Sequence, residues 1–216
     1  MKPLRDCRIY TFVDTSYLNG CPATEVARKL CDGGSDIIQL RAKTSCTDEI
    51  QRLADAIAPI AEQACVHFVI NDHLAISSRM PQPFVHLGQE DFFDAGHIQV
   101  SDLRPPNPKL RVGLSSHAPD QALRAMNAGA DYVAIGPVFP TGTKPGRPAV
   151  TLDYVRWAST HIQIPWFAIG GINLENLDEV IQAGARRICV VSAILQAPDI
   201  ARACQRFRQR LLSAPL

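Results

Sequence analysis

The stretch DIIQLRAKTSCTDEIQRLADAIAPIAEQACVHFVI, residues 36–70, decides the fold. It opens on a short apolar run, 36–41 (DIIQLR), with little polar alternation, as expected of a strand covered on both faces. Over 47–64 the period changes, and Ile50, Leu53, Ile57 and Ile60 recur at helical spacing. A second apolar run follows at 66–70 (VHFVI). Strand, helix and strand in so short a span form the unit that lays its two strands parallel.

The same alternation runs outward in both directions. Further strands are expected at 8–13 (RIYTFV), 84–87 (FVHL), 110–115 (LRVGLS), 131–135 (DYVAI), 166–169 (WFAI) and 187–191 (RICVV). Gly34, Gly129 and Gly184 each end a helical stretch shortly before a strand, and the last two stand in identical Ala-Gly-Ala contexts. Eight such units predict an α/β fold, a single-domain (β/α)₈ TIM barrel over residues 1–216 that closes with a helix at 199–212. A doubly wound open sheet fits less well: the series leaves no obvious edge, and no G-x-G-x-x-G follows the first strand.

Composition limits the function. A net charge of +1 supplies no field to recruit nucleic acid or an anionic membrane, so an anionic ligand must be held by a local cluster. No run approaches the roughly 18 apolar residues of a membrane span, and the first residues lack the apolar stretch of a signal peptide, so a cytoplasmic protein is expected. Seven cysteines, an odd number without a C-x-x-C pair, suggest small buried hydrophobes in place of a disulfide framework or zinc knuckle. A closed barrel needs no partner to complete its core, which leaves a homo-oligomer open.

In a TIM barrel the loops after the strands share one rim. Gln39, Arg41 and Lys43 follow strand two, with alternate residues facing one way, and Asn71 and Asp72 follow strand three. Asp91 lies beyond strand four, and Ser115 ends strand five. Pro140-Thr141-Gly142-Thr143-Lys144 follows strand six, Gly170-Gly171 strand seven and Val191-Ser192-Ala193 strand eight. Asp72 and Asp91 suit Mg²⁺ shared with a substrate phosphate, and Arg41, Lys43 and Lys144 can balance a diphosphate's remaining charge. The same aspartates also suit helix N-caps, and Arg41 and Lys43 suit structural ion pairs with them. Gly171 and Ser192 describe a second anion site, although Gly170-Gly171 also reads as a plain tight turn.

Other motifs fail. The stretch from Gly136 to Lys144 has the wrong spacing for a Walker A, and Gly113-Leu-Ser-Ser-His117 is not a nucleophile elbow. His67, His73, His86 and His97 lack metal-ligand spacing, and His117 suits either a general base or a structural role.

Taken together, Gln39-Leu40-Arg41-Ala42-Lys43, Ile70-Asn71-Asp72, His86-Leu87-Gly88-Gln89-Glu90-Asp91, Gly113-Leu114-Ser115, Gly136-Pro137 with Pro140-Thr141-Gly142-Thr143-Lys144, Ile169-Gly170-Gly171-Ile172 and Val191-Ser192-Ala193-Ile194 resemble the thiamine phosphate synthase family in residue and order. The resemblance implies a transferase that joins an aminopyrimidine diphosphate to a thiazole phosphate, giving thiamine phosphate and diphosphate by a Mg²⁺-assisted dissociative route. It implies that Gln39, Leu40, Arg41, Ala42, Lys43, Asn71, Ser115 and Lys144 take the pyrimidine diphosphate, with Arg41, Lys43, Ser115 and Lys144 acting in catalysis. Thr141, Gly142, Thr143, Gly171, Val191 and Ser192 would take the thiazole phosphate, and Asp72 and Asp91 the metal. The loop 137–150 is expected to close as a lid.

The chain departs from the family pattern at Val13-Asp14-Thr15, where Val-Thr-Asp is usual, and at Ala149-Val150-Thr151, which lacks a customary glycine. Met80-Pro81-Gln82-Pro83 and Arg186-Arg187 also differ, and none of the four is expected to touch the proposed ligands. Rival readings are a thiazole tautomerase-like isomerase, a non-catalytic phosphate-ligand sensor and a sugar-phosphate epimerase. The two aspartates and the Thr-x-Thr-Lys loop fit these less well.

Overall fold

The computed structural model describes residues 1–104, 107–142 and 149–213. Eight parallel strands close a barrel in sequence order: β1 (Ile9–Asp14), β2 (Ile37–Arg41), β3 (His67–Asn71), β4 (Phe84–Leu87), β5 (Arg111–Ser116), β6 (Tyr132–Ile135), β7 (Trp166–Ile169) and β8 (Ile188–Cys189). Closure is made where Ile9 pairs with Ile188 on one side of β1, while Tyr10 pairs with Ile37 on the other. The expected TIM barrel is therefore present as one domain. β8 is shorter than its apolar run, because Val191 leaves the extended region (φ −108°, ψ −89°) and starts a helix.

The outer layer comprises α1 (Ala23–Asp32), α2 (Thr47–Gln63), α3 (Leu74–Ser77), α4 (Pro119–Asn127), α5 (Thr151–His161), α6 (Leu177–Gln182), α7 (Ser192–Leu195) and α8 (Ile200–Ser213). On α2 the buried stripe is Ile50, Ala54, Ile57 and Ala61, with Leu53 and Ile60 packed at its edge. Gly34, Gly129 and Gly184 all take positive φ where α1, α4 and α6 hand over to strands. The regular alternation fails once. Between β4 and β5 the described residues form only a π-type turn, Glu90–Asp94, and a 3₁₀ turn, Val100–Leu103.

Side chains alternate between the barrel interior and the helices. Midway down the barrel, Tyr10, Phe84, Tyr132 and Phe167 interlock edge to face, with centroids 5.4–5.8 Å apart. Each buried ring contributes about 2–3 kcal/mol of transfer free energy, and together they floor the rim. Below that floor lie His67 and Arg111. Arg187, one of the departures, donates there to the Arg5 carbonyl and ties down the N-terminal turn.

All seven cysteines are free thiols. Cys7, Cys189 and Cys204 are buried as expected, but Cys46 and Cys65, at the two ends of α2, are exposed. Among the described residues no helix is long and apolar enough to cross a membrane.

Candidate active site

At the C-terminal ends of the strands a cavity of about 760 Å³, including its mouth, opens into the barrel. Strands β2 to β5 contribute Gln39, Arg41, Asn71, His86 and Ser115 to one wall. The opposite wall carries Thr141, Gly170, Gly171, Val191 and Ser192 from the loops after β6, β7 and β8. Period-two geometry explains the selection, since Gln39 and Arg41 point inward. Leu40 and Ala42 are buried behind the strand and do not line the cavity. A Cβ added at Gly142 would meet none of the described atoms within 4 Å, and Thr143 and Lys144 lie outside the described residues, as does the middle of the expected lid, 143–148.

Arg41 does not pair with Asp72 or Asp91. Its Nη1 donates to Asp14 Oδ2 at 2.7 Å, and Asp14 is fully buried. The expectation that no departure touches a proposed ligand is thus overturned at Asp14, because the β1–β2 register sets Asp14 directly beside Arg41. Lys43 pairs with Asp72, as the structural alternative anticipated.

Asp72 caps the end of β3 in the left-handed region (φ 63°), and its Oδ2 also accepts from Asn71 Nδ2 at 2.6 Å. Asp91 lies inside the π-type turn after β4, and its Oδ2 accepts from the Gly88 amide at 3.2 Å. A Cβ on Gly88 would sit 2.7 Å from that oxygen, so the glycine makes the cradle that seats the carboxylate. Neither aspartate is an N-cap: His73 precedes α3, and Gln89 precedes the π-type turn. β3 and β4 are paired neighbours, so both carboxylates stand on adjacent parts of the rim. Each has spent only Oδ2 on these contacts. A pair of hard oxygen donors completed by substrate phosphate suits Mg²⁺. Among the described residues no group of three or more ligating side chains gathers a metal without such help.

Gly170 and Gly171 have a packing reason of their own. Added Cβ atoms would lie 2.4 Å from Pro137 Cβ and 2.7 Å from Phe139 Cβ, respectively. The amides of Val138 and Phe139 donate to the carbonyls of Ile169 and Gly170, which clips the start of the β6 loop against the β7 loop. The pair therefore has a packing role between the two loops.

Sequence reasoning missed four interior residues. Gln39 Nε2 donates to Tyr10 Oη at 2.6 Å, and Tyr10 Oη meets Tyr132 Oη at 2.9 Å. Tyr132 Oη lies 2.8 Å from His86 Nδ1, whose Nε2 lies 2.9 Å from Ser115 Oγ. Gln89 Nε2 holds the Ser115 carbonyl at 2.6 Å. Burial raises the phenols of Tyr10 and Tyr132 well above the ordinary tyrosine range, so both stay neutral. The spacing of His86 speaks only against a metal site and the resemblance assigns it no role, whereas its parity on β4 places it beside Ser115. His117 lines the cavity, with Nδ1 hydrogen-bonded to the Gly136 carbonyl.

Fold and site together define a (β/α)₈ barrel with a rim pocket set between a polar wall that carries Arg41 and a glycine-rich one. The family model described as thiamine monophosphate synthase matches residues 9–194. The thiamine-phosphate synthase of Thermus thermophilus is 45% identical over 184 residues, which cover 83% of this chain and 84% of that one. That of Lawsonia intracellularis is 38% identical over 211 residues, 97% and 94% of the two chains. A solved thiamine phosphate pyrophosphorylase from Pyrococcus furiosus superposes with a TM-score of 0.85 at 26% identity, covering 99% of both chains. The chain belongs to the thiamine monophosphate synthase family.

Proposed function

We propose that the chain joins an aminopyrimidine diphosphate to a thiazole phosphate, forming thiamine phosphate and releasing diphosphate. The observation that carries this reading is the meeting of two unlike half-sites across one cavity. Gln39, Arg41, Asn71 and Ser115 face Thr141, Gly171, Val191 and Ser192.

The first half-site takes the pyrimidine diphosphate. Gln39, deep in the barrel, orients the aminopyrimidine ring. Arg41 and Lys43 hold the diphosphate, and by family resemblance Lys144 joins them. Asp72 and Asp91 would hold Mg²⁺, which supplies charge neutralisation for the departing diphosphate when bound. The second half-site, from Thr141 to Ser192, holds the thiazole phosphate so that its ring nitrogen faces the pyrimidine methylene.

Bond breaking needs stabilisation of negative charge on the leaving group, which preorganised cations and Ser115 supply. Bond making uses the lone pair of a neutral thiazole nitrogen and needs no general base. Walls from β7 and β8 exclude water that would otherwise capture the electrophilic carbon, and juxtaposition in one cavity removes the cost of encounter.

Purified chain, both substrates and Mg²⁺ are incubated together and the mixture is read by mass spectrometry. Thiamine phosphate and diphosphate should form in equal amounts and only when both substrates are present. Absence of product from folded protein overturns the reading.

A further inference from the structure

The string of hydrogen bonds from Gln39 to Ser115 passes beneath the cavity floor, and its middle members, Tyr10, Tyr132 and His86, have no part in the scheme above. Gln39, His86 and Ser115 line the cavity, whereas Tyr10 and Tyr132 are 1% and 0% exposed and do not reach it. Gly113 makes the crossing possible. A Cβ there would lie 2.1 Å from the Tyr132 ring.

Such a string has a direction. A phenol owns one proton, a neutral imidazole one N–H, and an amide nitrogen only donates. With Gln39 Nε2 donating to Tyr10, the Tyr10 proton goes to Tyr132 and the Tyr132 proton to His86 Nδ1. His86 then carries its proton on Nε2 and donates to Ser115 Oγ, whose own proton is left for the cavity. Turning over the Gln39 amide reverses every bond and is the other fully satisfied arrangement. Any mixture strands a buried polar group at a cost of about 1–3 kcal/mol.

We propose that Tyr10, Tyr132 and His86 form a polarity relay that ties the hydrogen-bonding character of Gln39 to that of Ser115. When Gln39 offers its carbonyl oxygen to the cavity, Ser115 offers a proton. The relay selects ligands that carry a hydrogen-bond donor at one end and an anionic oxygen at the other, which deepens and rests on the reading of an aminopyrimidine diphosphate as substrate. Tyr10, Tyr132 and His86 are positioning residues and touch no reacting atom.

The direct test is nitrogen NMR of the full chain labelled with ¹⁵N-histidine and free of ligand. The His86 signals are identified by their loss in His86→Gln. With the Gln39 amide donating to Tyr10, the relay expects His86 protonated at Nε2 with Nδ1 bare. A proton on Nδ1 overturns that direction and the ligand preference drawn from it, and a mixture of tautomers or protons on both nitrogens overturns the relay itself. Tyr132→Phe, which keeps the ring and removes the bridge, should abolish the tautomer preference and lower kcat/KM about tenfold. Coupling gives the second test. Gln39→Glu, an acceptor only, and Ser115→Ala should be non-additive in the presence of Tyr132 and additive in Tyr132→Phe. Additivity in both backgrounds overturns the proposal. A wild-type chain that makes no thiamine phosphate defeats the functional reading and leaves the tautomer measurement standing, so the two failures are distinguishable.

Discussion

Asp14 Oδ2 lies 2.7 Å from Arg41 Nη1, between the last residues of two paired strands. The carboxylate is fixed at its other oxygen as well, since Asp14 Oδ1 accepts from the Ser16 amide at 3.0 Å. Arg41, with 14% of its side chain exposed, is thereby aimed into the cavity by a neighbour that does not line it.

Asp14→Asn keeps the shape and removes the charge. Breaking a fully buried pair costs about 3–5 kcal/mol, and the partial exposure of Arg41 reduces this to about 1–3 kcal/mol. The freed guanidinium loses its aim, so kcat/KM for the diphosphate substrate should fall at least about tenfold. Denaturant unfolding and steady-state kinetics check both figures. A faster enzyme of unchanged stability would show that Asp14 merely competes with substrate for Arg41.

Thr151 opens α5 at φ 62°, a conformation that a β-branched residue adopts under strain. It ends the stretch Ala149-Val150-Thr151, where the resemblance leads one to expect a glycine. A non-glycine residue in this region costs about 1–3 kcal/mol, and the greater freedom of unfolded glycine takes back about 0.4–1 kcal/mol. Thr151 is exposed, and truncation removes only a long contact, from the Asp153 amide to Oγ1 at 3.4 Å. Thr151→Gly should therefore stabilise the chain by about 1 kcal/mol and raise Tm, as read by thermal melting. A lower Tm would show that the Thr151 side chain contributes more than its backbone costs.

Strand positions were legible because a barrel strand covered on both faces must be short and apolar. The rim rule then brought Gln39, Arg41, Asn71, Ser115, Thr141, Gly171, Val191 and Ser192 to one cavity. Parity alone would have set Leu40 and Ala42 aside. Asp14 looked like a departure, because its meaning depends on the register that pairs it with Arg41. The relay was illegible for a related reason. Period two says which face Tyr10, His86 and Tyr132 take, but not that Tyr132 meets the polar ends of both others, from two different strands, within 3 Å. The missing helix after β4 was hidden by the regularity of the other units.

Stability should depend on pH through His67, below the aromatic floor. Its Nε2 lies 2.6 Å from the Lys2 carbonyl, and Nδ1 accepts from Arg111 Nη2 at 3.2 Å, so the ring is held neutral. Burial lowers its pKa from 6.5 to about 4. Between those values the unfolded chain binds a proton that the folded chain refuses, so stability rises with pH across this window. The contribution is complete above about pH 6.5 and is lost as pH falls toward 4, on the order of 3 kcal/mol in all. His67→Gln, which can keep both hydrogen bonds, should flatten this part of the profile relative to wild type in denaturant melts at pH 7, 6 and 5. Parallel profiles would show that His67 does not titrate as its surroundings demand.

Asp72 and Asp91 offer the sharpest prediction about the reaction, because two carboxylates serving one ion must fail together. Lys43 already partners Asp72, and the Gly88 amide already holds Asp91, so each aspartate keeps a structural contact whether or not a cation is present. A merely structural pair would give small and additive losses on mutation. Shared ligation gives large ones: Asp72→Ala or Asp91→Ala should lower turnover at least about 100-fold, the scale of a lost electrostatic contact to developing charge. The double variant should be little worse than either single one, since the first loss already removes the ion. A chelator should abolish product in wild type, with Mg²⁺ restoring it. Calorimetric titration of Mg²⁺ in the presence of diphosphate should show binding to wild type and none to the double variant. Full activity in the double variant would overturn the metal assignment and leave Arg41, Lys43 and Lys144 to carry the diphosphate's charge.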